Sequence, residues 1–305
     1  MREDKHLPER KRGCARPLFE DHTRRFAANR YAYPVLSRRS GGISIGVNLS
    51  RDKICNFRCV YCQVEREGRG ESSVRQAEPI DLALLAEELT ALVSAVQSGR
   101  LFEGPRFTQT PVHLRRLNDI ALSGDGEPTL CPQFAEAVEV CAEVHRRLRL
   151  DDVKLVLITN ATLLDREPVR RSLAVLDACN GEIWAKLDAG TEGYYRRVSR
   201  SAVPFTKLLD NLRDAALARP IVIQTLLMQL AGQPPSAEEV AEYCHRLTDI
   251  VSAGGQIKLV QLHTVARRPA EPCVAALPDA EIDAIAEQVR GRTGLPVAVF
   301  PGGHR

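Results

Sequence analysis

A stretch that reads as a strand, followed by one that reads as a helix, recurs six times along this chain. In GISIGVNL the apolar residues Ile43, Ile45, Val47 and Leu49 alternate with Ser44, Gly46 and Asn48, the period of two that gives a strand one apolar face. Leu82, Leu85, Leu89, Leu92 and Val96 then step by three and four, one apolar stripe of a helix. NDIALS precedes a helix over 132–148, VKLVLIT one near 167–177, and EIWAKLD helical segments around 192–217. IVIQTLLM leads to Ser236 and Glu239, spaced as a capping box ahead of Val240, Tyr243, Leu247 and Ile250, and KLVQLHTV leads to Ile282, Ile285 and Val289. Alternating units of this kind demand parallel strands, so the expected class is α/β, as an open doubly wound sheet or a partly closed barrel. Neither a GxGxxG nor a P-loop motif occurs, which weakens the nucleotide-binding doubly wound alternatives.

At 305 residues, with 44% hydrophobic and 27% charged, the chain suits one large domain with extensions and excludes disordered or fibrous classes. Its longest apolar run, about five residues, falls far short of the roughly 18 of a spanning helix. The charged start MREDKHLPERKRG lacks the apolar region of a secretory signal, so a cytoplasmic protein without a membrane partner is expected. Residues 1–40 carry 11 Lys/Arg against 5 Asp/Glu, leaving the remainder slightly acidic. This basic N-terminal extension also holds Phe19, Phe26, Tyr31 and Tyr33, and cations interleaved with aromatics suit phosphates and stacked bases. The domain boundary is drawn there, with 1–40 as extension and 41–300 as the core.

Nine cysteines in a chain without an export signal are read as metal or redox chemistry before disulfides. Cys55, Cys59 and Cys62 form a C-x3-C-x2-C triplet in CNFRCVYC, directly after the first strand, at the edge where strand–helix folds gather their chemistry. Structural zinc takes four ligands, and neither a second C-x2-C nor a nearby His completes a set; a three-cysteine catalytic zinc stays open. A [4Fe–4S] cluster held by three cysteines would leave one iron for a non-protein ligand.

CNFRCVYC resembles the signature of the radical S-adenosylmethionine (radical SAM) enzymes. The resemblance implies a [4Fe–4S] cluster on Cys55, Cys59 and Cys62, with the amino and carboxylate groups of S-adenosylmethionine on the fourth iron and Tyr61 near the adenine. SGDGEPTL, at the end of the second strand, is similar to the family's glycine and glutamate motif. It implies cosubstrate binding by Ser123, Gly124, Gly126 and Glu127, the carboxylate attracting the methionine ammonium. Taken alone, Gly124-Asp125-Gly126 would be an ordinary turn. Thr159-Asn160 ends the third strand, where the family contacts ribose or the methionine carboxylate; an Asn there also suits a helix cap. In EIWAKLD, strand alternation sends Trp184, Lys186 and Asp188 to the face opposite Ile183, Ala185 and Leu187. A Lys and an Asp inside a barrel are expected to pair, and Lys186 and Asp188 are the catalytic candidates. Gln224 is a further cofactor-binding candidate, and His263 a weaker catalytic one.

YPVLSRRSGGISIGVNLSRDKICNFRCVYCQ, SGDGEPTL, WAKLDAGTEGYYRRVSR and QLHTVARRPAE resemble the branch that includes the wyosine tRNA-modification synthases, over roughly residues 31–300. This implies a partial (β/α)6 TIM-like barrel. The chain departs from those synthases in having only Cys14 ahead of the triplet, too few for their second cluster unless folding gathers Cys131 and Cys273 with it. The implied partners are S-adenosylmethionine and a reducing donor such as flavodoxin or ferredoxin. The implied chemistry is a 5′-deoxyadenosyl radical abstracting hydrogen from substrate. Arg196, Arg197, Arg200, Arg267 and Arg268 join the basic arm in suggesting RNA or tRNA. A peptide or small metabolite is the competing substrate, and a non-catalytic, metal-stapled RNA-binding module the competing class.

Overall fold

The computed structural model describes residues 24, 26–64, 79–267, 269 and 271–302. Strand β1 (Ala32–Ser37) pairs antiparallel with β2 (Gly42–Val47), and from β2 the sheet runs in parallel, in chain order. It continues through β3 (Leu117–Leu122), β4 (Lys154–Thr159), β5 (Gly181–Lys186), β6 (Ile221–Leu230) and β7 (Ile257–Thr264). The short β8 (Val274–Ala276) pairs antiparallel with β6, and β9 (Val297–Phe300) pairs parallel with β7. The curled, mostly parallel sheet is a half-barrel of the TIM-like kind, and β2 to β7 are the six strands read from the sequence. Three strands were not read: β1, inside the segment assigned to the extension, the three-residue β8, and β9 at the far edge.

Among the described residues there are seven α-helices: α1 (Leu82–Gln97), α2 (Phe134–Arg147), α3 (Glu167–Asp177), α4 (Glu192–Ser199), α5 (Phe205–Ala218), α6 (Ala237–Ser252) and α7 (Asp279–Thr293). Their apolar stripes meet the outer face of the sheet. Ile43, Ile45 and Val47 of β2 are fully buried in the main core with Leu85, Leu89 and Leu92 of α1, as the alternation requires. Parallel register sets Ile45 beside Ile120, Ile120 beside Leu155 and Leu157 beside Ile183, a continuous apolar row under the helices. Each such side chain contributes roughly 1.5–3 kcal/mol on burial.

The inner face is layered. At the N-terminal edge of the strands, the buried Glu182 carboxylate receives Lys154 at 2.8 Å, Lys258 at 2.6 Å and the Trp184 indole N–H at 2.9 Å. Above it Ala121, Val156, Trp184 and Val222 form a small apolar plug. Polar residues line the space above the plug, so its open end lies at the C-terminal edge. Sheet edges β1 and β9 face each other across the seam of the half-barrel, and Arg38, from the β1–β2 turn, donates to the Pro301 carbonyl at 2.5 Å. Entry to β1 is fixed by Glu88 of α1, whose buried carboxylate accepts the backbone N–H groups of Arg30, Tyr31 and Ala32.

The Ser236 cap is formed, its hydroxyl accepting the Glu239 N–H at 3.1 Å. Glu239 does not return the contact. Its carboxylate accepts from the Gly190 N–H and from both the N–H and hydroxyl of Thr191, so it organises the loop after β5. The box spacing is present, and a buried loop with three unsatisfied donors takes the carboxylate instead.

Candidate active site

Every strand-end motif singled out in the sequence borders one cavity of about 330 Å³ at the C-terminal edge of the sheet. Cys55, Cys59, Tyr61 and Cys62 come from the loop after β2; Gly124, Gly126 and Glu127 follow β3; Asn160 follows β4. Lys186 ends β5, Gln224 lies on β6 and His263 on β7. Ser123 lies behind this wall, on an adjoining space of about 190 Å³ that reaches down toward the plug.

The cysteine loop is held from three sides. Its Arg58 and Val60 N–H groups donate to the carbonyls of Ser199 and Val198 at the end of α4, and Phe57 packs edge-on against Tyr195. The Asn56 amide donates to Thr162 and accepts from the Asn160 amide, tying the loop to the end of β4. From the β3 side, the Glu127 N–H donates to the Ile54 carbonyl at 3.0 Å. Gly126 makes that approach possible: a Cβ there would stand 1.9 Å from the same oxygen. Gly124 is equally confined, 2.1 Å from the Asn48 amide oxygen. SGDGEP is therefore a close-packed bracket between β2 and the cysteine loop.

Glu127 is 2% exposed and takes four donors from the protein: the Thr129 N–H and hydroxyl, the Thr159 hydroxyl and the Asn160 N–H. Burial raises its pKa, and these hydrogen bonds oppose that. Three of the donors share one oxygen, while Oε2 takes Asn160 alone. The Asn160 side-chain oxygen caps Thr162, through both its N–H and hydroxyl, and its amide group lies 3.9 Å from the Cys55 sulfur. Gln224 is buried, its amide on the Gln261 side-chain oxygen at 2.8 Å.

Lys186 and Asp188 pair at 2.9 Å, as their shared face predicts. The pair is part of a larger group. Asp188 also accepts the Tyr61 hydroxyl and the Leu226 N–H, and the Lys186 ammonium lies 5.2 Å from the centre of the Tyr61 ring. Tyr61 thus links the cysteine loop to β5. His263 has a buried Nδ1 without a hydrogen-bond partner among the described residues; burial holds the ring neutral, reinforced by Lys186 and Arg39. Sequence reasoning missed Arg24, Arg38 and Arg39 on the cavity wall, and Asp125, which pairs with Arg24 and accepts from Asn48. These residues occupy loop positions where no periodic pattern marks a direction.

The RNA-directed arginines divide. Arg196 and Arg200 are paired with Glu192 and Glu271, and Arg267 turns into the cavity. Arg268, Cys14 and most of the basic arm lie outside the described residues. Cys273 is exposed beside Glu271, and Cys131 ends the turn before α2.

The three sulfurs of the triplet suit an iron–sulfur cluster. All three are half-buried thiols on one cavity wall, and burial, with the Asp188 carboxylate, pushes Cys59 up to about 12. Thiolates in such surroundings need a strongly cationic partner to exist. No group of three His, Cys, Asp or Glu residues among those described is gathered tightly enough for a single metal ion. Three cysteines on one wall are the donor set of a cluster that leaves one iron for a non-protein ligand.

Among curated proteins, the chain is 24% identical over 254 residues to a protein named GTPase Obg from Brachyspira hyodysenteriae, covering 82% of this chain and 32% of that one. It is 30% identical over 187 residues to the UPF0026 protein MJ1312 from Methanocaldococcus jannaschii, covering 61% of this chain and 48% of that one. The chain thus spans about half the length, or less, of these curated relatives. A solved structure of TYW1 with a lysine–pyruvate adduct has the same fold, with a TM-score of 0.52 and 17% identity over 81% of this chain and 73% of that one. The family description Radical SAM superfamily matches residues 52–244, which include the cysteine triplet, the β3 bracket and the Lys186–Asp188 pair. The chain belongs to the radical SAM superfamily, whose members use a [4Fe–4S] cluster and S-adenosylmethionine.

Proposed function

We propose that the chain is a radical SAM enzyme whose reaction takes place in the cavity at the C-terminal edge of the half-barrel. The carrying observation is convergence: residues from the cysteine loop and from β3 to β7 or the loops after them face one cavity. Cys55, Cys59 and Cys62 would hold the cluster. Bound there, it would supply the electron for reductive C5′–S cleavage of S-adenosylmethionine, the source of a hydrogen-abstracting group.

The protein's part is positioning and exclusion of water. Gly126 lets the β3 bracket lie against the cysteine loop, and Glu127 joins the ends of β3 and β4, fixing the wall beside the cosubstrate. Asn160 offers its amide group near Cys55, and Gln224, held by Gln261, presents a neutral polar side chain to the cavity. Lys186, held by Asp188 and by the face of Tyr61, keeps a positive charge at a fixed point over the cavity. A flavodoxin or ferredoxin is the class of donor suited to reduce the cluster.

RNA or tRNA modification is the finer reading that the composition of residues 1–40 supports. The ion pairs of Arg196 and Arg200 weaken it, and the inward turn of Arg267 favours a small molecule. The test is anaerobic titration of the reconstituted, reduced protein with S-adenosylmethionine, followed by electron paramagnetic resonance. A changed cluster signal supports cosubstrate binding at the cluster. An unchanged signal from a fully loaded protein rejects it.

A further inference from the structure

Arginines crowd the junction of the two adjoining spaces. Arg24, Arg39 and Arg267 line both the 330 Å³ cavity and the 190 Å³ space beneath it, and Arg38 lines the upper one. They come from the segment before β1, the β1–β2 turn and the chain after β7, so they gather where the half-barrel is open between its edge strands. Like charges are brought together only where something compensates them.

The compensation present is incomplete. Arg24 is paired with Asp125, and Arg38 donates to the Pro301 carbonyl. Arg39 stacks its guanidinium over the Trp184 ring at 5.7 Å, the apolar contact that a planar cation makes. Asp119, the carboxylate whose charge acts on it, makes no ion pair with it among the described residues. Asp119 is 2% exposed, accepts the Ser44 hydroxyl on one oxygen and leaves the other buried without a hydrogen bond among the described residues. Arg267 has neither a hydrogen-bond partner nor an ion-pair partner among the described residues. Burial, then the charges of Arg24, Arg39 and Arg38, pushes it down to about 10. The space beneath is therefore polar and cationic on one wall, with a buried acceptor, Asp119, on another.

We infer that Arg39 and Arg267 form a subsite for the anionic head, a phosphate or a carboxylate, of a small-molecule substrate. Asp119 takes a hydroxyl or N–H of the same molecule, and the remainder of the molecule reaches up toward the Tyr61–Lys186–Asp188 group. Two guanidinium forks fit either oxyanion by paired N–H donors. A polymer backbone would sit poorly in a space of only about 190 Å³. The word substrate rests on the enzymatic reading above, whereas anion binding does not.

Calorimetric titration of the full chain, reconstituted and kept anaerobic, with inorganic phosphate and separately with acetate tests this without any turnover. Binding of either anion, weakened by added salt and unaltered by saturating S-adenosylmethionine, supports the subsite; the tighter arm identifies the head group. Arg267→Gln should weaken binding by roughly tenfold or more, the effect of losing a charged donor, and Arg39→Gln likewise. Arg170→Gln, on the exposed face of α3, should leave binding and melting temperature unchanged. Competition by S-adenosylmethionine would assign the arginines to the methionine carboxylate and overturn the proposal. Absence of binding by a normally melting protein, or equal binding by Arg267→Gln and wild type, would also overturn it. Failure of the enzymatic reading would appear separately, as a cluster signal indifferent to S-adenosylmethionine with anion binding intact.

Discussion

Cys59→Ala removes one of three sulfurs from a wall on which no other cysteine, among the described residues, is placed to replace it. The variant should fold, lose its iron and sulfide on reconstitution, and lose the tawny chromophore; full iron content would show that the triplet is not the cluster's seat. Gly126→Ala acts through shape alone. Its Cβ would have to displace the Ile54 carbonyl, which is backbone and cannot swing aside. A loss of about 1–3 kcal/mol in stability is expected, with lower iron loading than wild type, read by denaturant melts and iron analysis. At this scale the sequence was legible where chemistry leaves a spacing, as in the triplet and in the alternation that put Lys186 and Asp188 on one face. It was less legible where side chains meet only through folding. Nothing in the sequence alone announces that Glu127 takes four protein donors, or that Tyr61 donates to Asp188.

Among the elements, the loop after β5 depends on a residue from a helix about fifty positions away. Glu239 satisfies Gly190 and Thr191, so Glu239→Gln should cost about 1.5–3 kcal/mol, whereas Ser236→Ala should cost only about 1 kcal/mol as the loss of an ordinary cap. Equal losses in thermal melts would instead mean that Glu239 acts only at the helix start. The six strand–helix units were readable because one face of each is apolar and the periods of two and 3.6 are distinct. β1 escaped notice since YPVLS carries a proline and no alternation, and all six of its residues are buried. Edge strand β9 is short and only half-buried, so its four residues carry little pattern.

For the whole molecule, the closed lower end of the half-barrel sets an acid limit. Burial alone would raise the Glu182 carboxyl, but its hydrogen bonds to Lys154, Lys258 and Trp184 outweigh this and hold it below the usual carboxylate value of 4.5. A depressed folded-state pKa means that Glu182 stabilises fully above the unfolded value, and this stabilisation disappears as pH falls through the folded one. Wild type should therefore lose stability below about pH 4.5 more steeply than Glu182→Gln; identical slopes in acid melts would remove Glu182 from that role. Among the described residues, no helix is long and apolar enough to cross a membrane. The upper end carries the central claim, that the cysteine loop and the strand ends around it run radical chemistry. Its most direct measurement is mass-spectrometric detection of 5′-deoxyadenosine after anaerobic reconstitution with iron and sulfide, then addition of S-adenosylmethionine and dithionite. The wild type should form 5′-deoxyadenosine and the Cys55/Cys59/Cys62→Ala variant none; a cluster-loaded wild type that forms none, or equal product from both, would contradict it.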